Sequence, residues 1–90
     1  MILDSLVFDY LPSGNCPVQS EGFINGKPFY FRARGAGWSF SVGSSTLFPD
    51  WSYSEGYGTG FESGWMDEKE ATTFIFKALT LYLGVSSEGA

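Results

Sequence analysis

The fold is decided by residues 18–34, which read VQSEGFINGKPFYFRAR. Asn25 and Gly26 stand between two runs of strand-forming residues, and Asn-Gly favours a type I′ turn because both residues readily adopt positive φ angles. In the second run Phe29 and Phe31 fall on one face, since side chains alternate along a strand. The stretch therefore predicts an antiparallel hairpin with one apolar face.

A third strand follows the hairpin after a turn at residues 35–37, which read GAG. In residues 38–42 large apolar side chains alternate with Ser39 and Ser41. This alternation is typical of an antiparallel sheet with one buried face and one face in water. The three strands together predict an antiparallel meander.

Two flanking segments allow more than one structure. In residues 2–11 the apolar side chains recur at a helical spacing but also alternate, and we favour a short helix that ends at Pro12. Glycine is frequent between residues 51 and 65, and glycine weakens strands. We therefore expect a strand near residues 59–65, preceded by an irregular or edge segment.

The C-terminal segment has the signals of a helix. Asp67 can act as the N-cap, with Glu70 as its partner in a capping box. Met66 can pack on Ala71 as a hydrophobic staple, and Gly84 is expected at the C′ position after the helix. The predicted apolar stripe consists of Ala71, Phe74, Ile75, Ala78, Leu79 and Tyr82.

These elements predict an α+β fold in a single domain that spans residues 1–90. A three- to four-stranded antiparallel meander is covered by the C-terminal helix, with the short helix at the N-terminus. Residues 84–90 are small and polar and are expected to form a loose tail. The predicted core packs Phe29, Phe31, Trp38, Phe40 and Val42 against Phe74, Ile75, Ala78 and Tyr82.

Charge is concentrated in one part of the chain. The formal net charge is −5, from ten acidic and five basic residues, and the whole excess lies in residues 50–70. Such a region repels phosphate backbones, so we expect no direct binding of nucleic acid. It attracts basic surfaces instead, including those of proteins that bind nucleic acids.

Composition argues against most catalytic sites. The chain has no histidine and a single cysteine, Cys16, which removes most metal sites and every catalytic scheme built on imidazole. Glu55 and Glu62 are the one candidate pair of catalytic carboxylates, but so short a chain rarely builds the cleft that glycoside hydrolysis needs. We expect no enzyme activity, no cofactor and no metal. The single cysteine and the lack of a signal peptide or a long apolar run indicate a cytoplasmic protein without a membrane partner.

The most informative stretch for function is residues 51–61, which read WSYSEGYGTGF. Protein-binding loops use this composition, because aromatic side chains give a large contact area and small residues let a loop adapt. The alternative is that these aromatic residues are core residues of an irregular strand, and the sequence leaves both open. The predicted partner-binding residues are Asp50, Trp51, Tyr53, Glu55, Tyr57, Glu62, Asp67 and Glu68.

Three segments characterise the build of the chain: FINGKPFY at 23–30, WSFSV at 38–42 and WMDEKE at 65–70. In this build it resembles the phage-encoded anti-CRISPR proteins, which are tiny, acidic, single-domain and cytosolic. The resemblance implies an inhibitor that binds a CRISPR effector in the host-cell cytoplasm and blocks nucleic-acid binding by steric and electrostatic competition. It implies a protein partner with a basic surface, for a chain that is itself a monomer or a homodimer.

Two other functions fit the same residues. A small phage structural or assembly protein would self-associate through the aromatic segment or a sheet edge. A small-ligand or carbohydrate-binding module would use aromatic side chains as a stacking platform. Its platform would consist of Trp51, Tyr53, Tyr57 and Trp65.

The helix N-cap gives the first testable prediction. Replacing Asp67 with alanine removes the acceptor for a backbone N–H of the first turn, and we expect this to cost about 0.5–2 kcal/mol of stability. Thermal unfolding of the two proteins measures the cost. A melting temperature identical to that of the unmodified chain would contradict the assignment of Asp67 as the cap.

Overall fold

The computed structural model describes residues 3–14, 17–43, 48–58 and 66–88. These residues form five strands and one helix. The elements are β1 (Leu6–Ser13), β2 (Val18–Ile24), β3 (Lys27–Arg34), β4 (Gly37–Val42), β5 (Trp51–Gly56) and α1 (Glu68–Glu88).

The strands form one antiparallel sheet in the order β1-β2-β3-β4-β5, so each strand pairs with its neighbour in sequence. The prediction of a three- to four-stranded sheet is therefore wrong, because the sheet has five strands. Both additional strands, β1 and β5, lie at the edges of the sheet. The meander and the C-terminal helix are as predicted.

The N-terminal segment is a strand, so the helix favoured for residues 2–11 is wrong. Leu6 and Phe8 pack against the core, whereas Val7 between them is exposed. This alternation matches the period of a strand, and pairing with β2 satisfies the backbone more fully than an isolated short helix would. The strand also runs through Pro12 to Ser13, because an edge strand tolerates proline.

The turn at Asn25 and Gly26 has the predicted type I′ geometry, with φ angles of 51° and 82°. The Asn25 side chain has a second role that the turn signal does not indicate. Its Oδ1 accepts hydrogen bonds from the backbone N–H groups of Asp4 at 2.7 Å and Ser5 at 3.1 Å. The hairpin turn therefore also holds the start of β1 in place.

Strand β1 lies close against Gly22 of β2. A Cβ atom at this position would lie 2.0 Å from the carbonyl oxygen of Val7 and 2.7 Å from Cε2 of Phe29, which is too close for a side chain. The pairing of β1 with β2 shifts register between Phe8 and Tyr10 and again between Tyr10 and Ser13. Glycine at position 22 is thus a condition for the addition of β1 to the sheet.

Helix α1 covers one face of the sheet, and the predicted core residues lie beneath it. All of them are buried except Phe74, which is half-buried and packs against the core. The helix does not end before Gly84 but continues to Glu88, so the predicted C′ position is wrong. Gly84 costs such a helix only about 1 kcal/mol relative to alanine. Within the described residues, α1 is not apolar enough over sufficient length to cross a membrane.

The segment that contains residues 51–56 forms a regular edge strand, β5. Its six residues pair in unbroken register with β4, from Trp51 opposite Val42 to Gly56 opposite Gly37. The glycines therefore do not disturb the strand, because Gly56 is its last residue. The strand predicted near residues 59–65 lies outside the described residues.

Gly22 gives a test of how β1 joins the sheet. Replacing Gly22 with alanine pushes β1 away from β2, and we expect the free energy of unfolding to fall by about 1–3 kcal/mol or more. Replacing Gly84 with alanine is the matched control, since nothing lies within 4 Å of a Cβ there. That variant should gain about 0.5–1 kcal/mol from helix propensity.

Urea unfolding measures both changes. Equal stability of the Gly22→Ala variant and the unmodified chain would show that β1 can shift at no cost.

Candidate protein-binding surface

The predicted partner-binding residues of β5, together with Tyr57 directly after the strand, face the helix rather than the solvent. Trp51, Tyr53, Glu55 and Tyr57 alternate with exposed residues and are half-buried on the face of the sheet that carries α1. Three of the four, the aromatic ones, pack against the core. The structure therefore brings these four residues together, but in the contact between the sheet and α1 and not on an exposed surface.

Aromatic contacts join β5 to the helix along its length. The Trp51 ring lies 5.3 Å from that of Tyr82, and the Tyr57 ring lies 5.8 Å from that of Phe74 in an edge-to-face arrangement. The helix therefore runs antiparallel to β5, with its first turns near Tyr57. Such pairs contribute about 0.5–1.5 kcal/mol beyond the area that they bury.

Polar groups complete the contact between β5 and α1. The Tyr53 hydroxyl donates to Oε2 of Glu55 at 2.5 Å, and the same oxygen forms an ion pair with Lys77 of the helix. The Tyr57 hydroxyl donates to Oε1 of Glu70, also on the helix. The polar ends of these β5 side chains are thus engaged inside the chain.

The contacts among Tyr53, Glu55 and Lys77 shift the pKa values of these three groups. The hydrogen bonds from Lys77 and then from Tyr53 lower the pKa of Glu55, because both favour its charged form. The same bond to Glu55 raises the pKa of Lys77. Tyr53 has a raised pKa because its hydroxyl proton is shared with the Glu55 carboxylate. The ionised pair of Glu55 and Lys77 is therefore the stable state at neutral pH.

Of the two side chains in the predicted capping box, Asp67 has its predicted role and Glu70 has a different one. Oδ1 of Asp67 accepts a hydrogen bond from the backbone N–H of Glu70 at 2.7 Å, which confirms Asp67 as the N-cap. The Glu70 carboxylate accepts from Tyr57, so it serves the contact with β5. Met66 and Ala71 are both buried in the core cluster, as a hydrophobic staple requires.

The remaining predicted residues are exposed or not described. Asp50, Asp67 and Glu68 are exposed, and Asp50 lies 3.8 Å from Lys27 in an ion pair open to water. Asp50 precedes β5 whereas Asp67 lies beyond its far end, so a strand length of about 20 Å separates them. Glu62 lies outside the described residues. Among the described residues, the structure does not bring Asp50 together with Asp67 and Glu68 in one acidic surface.

Most of the exposed apolar side chains lie in or beside β1. Among the described residues, eight large apolar side chains are exposed. Three of them belong to β1, one lies three residues before β1, and one belongs to the paired strand β2. We define these five as the β1 patch: Leu3, Val7, Tyr10, Leu11 and Phe23. Val7 pairs directly with Phe23, so these two side chains lie side by side on the face away from the helix.

Acidic residues border the β1 patch. Asp4, Asp9 and Glu21 are all exposed in or beside β1 and β2. The Tyr10 hydroxyl donates to Oε2 of Glu21 at 2.8 Å. Burial and this hydrogen bond to a carboxylate raise the pKa of Tyr10 to about 12. Tyr10 therefore stays neutral and holds Glu21 at the border of the patch.

Sequence reasoning missed this surface because it assigned residues 2–11 to a short helix. One signal was present: Val7 is an apolar residue between Leu6 and Phe8, so a strand here has apolar side chains on both faces. Apolar residues on both faces of an edge strand are typical of a strand that packs on the core with one face and contacts another surface with the other face.

The described residues enclose no pocket for a small ligand, and their acidic side chains form no group of three that could hold a metal ion. No protein-family model, curated protein or solved structure matches the chain. The candidate surface is therefore argued from its own geometry.

The ion pair of Glu55 predicts how acid affects stability. Because its partners lower the Glu55 pKa below the ordinary value of 4.5, the carboxylate stabilises the fold above that pH. This contribution is lost as the pH falls through the lowered pKa. We expect Glu55→Gln to be less stable than the unmodified chain at neutral pH, and the difference to shrink on acidification.

Urea unfolding across this pH range measures the difference. The control is Asp50→Asn, which breaks the exposed pair with Lys27 and should change stability by no more than about 1 kcal/mol. A difference for Glu55→Gln that stays constant with pH would rule out a role for the carboxylate charge.

Proposed function

We propose that this chain is a non-catalytic protein-binding domain whose β1 patch contacts a partner with apolar and basic groups. The observation that carries the proposal is the concentration of exposed large apolar side chains on β1 and its partner residue in β2. Soluble monomers rarely leave such side chains together in water without a function. The patch supplies the apolar centre that a protein interface requires.

The geometry of the patch favours contact with a protein surface. Val7 and Leu11 are each 53% exposed, so more than half of each side chain is available to a partner. Tyr10 and Phe23 add aromatic area, and aromatic side chains are frequent among the residues that dominate binding energy. The backbone beneath them belongs to a sheet, so the side chains are presented by a rigid support.

The acidic residues around the patch favour a basic partner. Asp4, Asp9 and Glu21 border the patch, and their carboxylates would face basic groups favourably across an interface. Two copies of the same patch would instead bring like charges together, which disfavours self-association at this surface. The net charge of −5 adds long-range attraction toward a basic protein.

A partner with a basic and apolar surface is typically one that binds nucleic acids. Occupation of that surface would exclude the nucleic acid by steric and electrostatic competition, with no chemical step. This is the mode of action that the resemblance to anti-CRISPR proteins implies, with a CRISPR effector as the target. The exposed carboxylates of Asp50, Asp67 and Glu68 contribute to the attraction without lying in the contact.

The test is binding of the full chain to a purified, guide-loaded CRISPR effector, measured by biolayer interferometry. We expect the double variant Val7→Thr and Phe23→Thr to bind at least about tenfold more weakly, because it removes the apolar centre of the patch. The matched control is Phe76→Thr, which removes from the helix an apolar side chain whose exposure of 48% lies between those of Val7 and Phe23.

A second variant tests the charges. Replacing Asp4 and Asp9 with asparagine should slow association and reduce its dependence on salt, because rim charges act mainly on the rate of encounter. Absence of any binding to the effector would refute the inhibitor function. Equal binding by the Val7 and Phe23 variant would refute the β1 patch as the contact surface.

A further inference from the structure

The two edges of the sheet differ in regularity. Strand β1 has two register shifts against β2 and contains Pro12, and such irregularities are what natural proteins use to block pairing at an edge. Strand β5 pairs with β4 over six residues without a shift and contains no proline. Its solvent-facing side chains are Ser52 and Ser54, which carry no charge.

The register of β5 determines where its backbone groups point. The N–H of Tyr57 donates to the carbonyl of Ala36 at 2.7 Å, and hydrogen-bonded pairs alternate with non-bonded pairs along an antiparallel ladder. Ser52, Ser54 and Gly56 therefore lie in non-bonded pairs with β4. Their N–H and C=O groups point away from the sheet, where no described strand pairs with them.

We infer that β5 pairs antiparallel with β5 of a second copy of this chain, about a two-fold axis at Ser54. In this register each Ser54 exchanges two backbone hydrogen bonds with Ser54 of the partner subunit. Ser52 lies opposite Gly56 of the partner subunit and forms the flanking bonds. The sheet then continues through both copies, and the interface is isologous.

The side chains of β5 suit pairing with themselves. On the open face, serines and a glycine meet, so nothing bulky prevents close approach. On the helix face Tyr53 lies opposite Glu55 of the partner subunit, which places a hydroxyl and not a second carboxylate against each acid. This complementarity to its own sequence favours a second copy over a foreign strand as the occupant of this edge.

Apolar groups above the edge point to the same occupant. Trp51 and Tyr53 are only half-buried although they pack against the core. Leu81 lies four residues after Lys77 and seven after Phe74, on the stripe of α1 that contacts β5, and it is 38% exposed. In the proposed register Trp51 lies opposite Tyr57 of the partner subunit, and a second copy placed along this edge would shield these half-exposed apolar groups from water.

The first measurement is the mass of the full chain by sedimentation equilibrium over a wide range of concentration. We expect a monomer that converts to a dimer as the concentration rises. Residue-resolved amide exchange locates the contact: the Ser54 and Gly56 amides should slow with concentration, whereas the Leu6 and Phe8 amides at the opposite edge should not. A monomer at every concentration, or protection that does not change with concentration, would overturn the proposal.

Substitutions at Ser54 test the geometry. Ser54→Pro removes an N–H that points outward, so the ladder to β4 is preserved, and we expect the dimer to weaken at least about tenfold. Ser54→Lys places two lysines opposite each other across the axis and should act likewise. The control is Ser41→Lys on the same face of a central strand.

Circular dichroism establishes that each variant is folded before its mass is measured. Dimerisation of Ser54→Lys with unchanged affinity, or equal weakening by Ser41→Lys, would also overturn the proposal. Loss of the dimer leaves effector binding by the β1 patch intact, so the two proposals fail separately.

Discussion

Within the described part of the chain, one helix has to cover one face of a five-stranded sheet, and the burial of every strand follows from this. A helix with its side chains is roughly 10 Å wide and strands lie about 4.8 Å apart, so one helix shields two or three strands. The inward side chains of the three central strands are accordingly buried. Those of β1 and β5 are half-buried, and both edges meet water with apolar groups left over.

At the β5 edge, hydrogen bonds and an ion pair hold the half-buried side chains in place. Tyr53 and Tyr57 donate hydrogen bonds from their hydroxyls to carboxylates, and Lys77 of the helix forms an ion pair with Glu55. Large aromatic side chains therefore lie at the boundary of the core with their polar ends hydrogen-bonded. An acidic, aromatic composition that suggests a binding loop is here the means of joining a strand to a helix. The same arrangement leaves a regular backbone edge beside it.

The β1 edge is held in place in a different way. The side chain of Asn25 and the absence of one at Gly22 let β1 lie close against β2, but the strand then carries apolar residues on both faces. Leu6 and Phe8 complete the core, whereas Val7 on the other face has nothing above it among the described residues. A strand added to satisfy the core therefore exposes an apolar surface, and this is the surface that we propose for binding.

Local sequence is sufficient to predict the type I′ hairpin, strands β2 to β4, the helix N-cap and the central core. Each of these depends on neighbours within a few residues, such as the φ preferences of Asn25 and Gly26 or the alternation from Trp38 to Val42. That residues 6–13 form a strand, and that the aromatic residues of β5 face inward, follows only from contacts made in the folded chain. Both outcomes depend on which distant surface is present to pair with or to cover the segment, and helical and strand periods are equally compatible with so short an apolar run. The exposure of the β1 patch depends on the tertiary structure too, because exposure is a property of the assembled sheet.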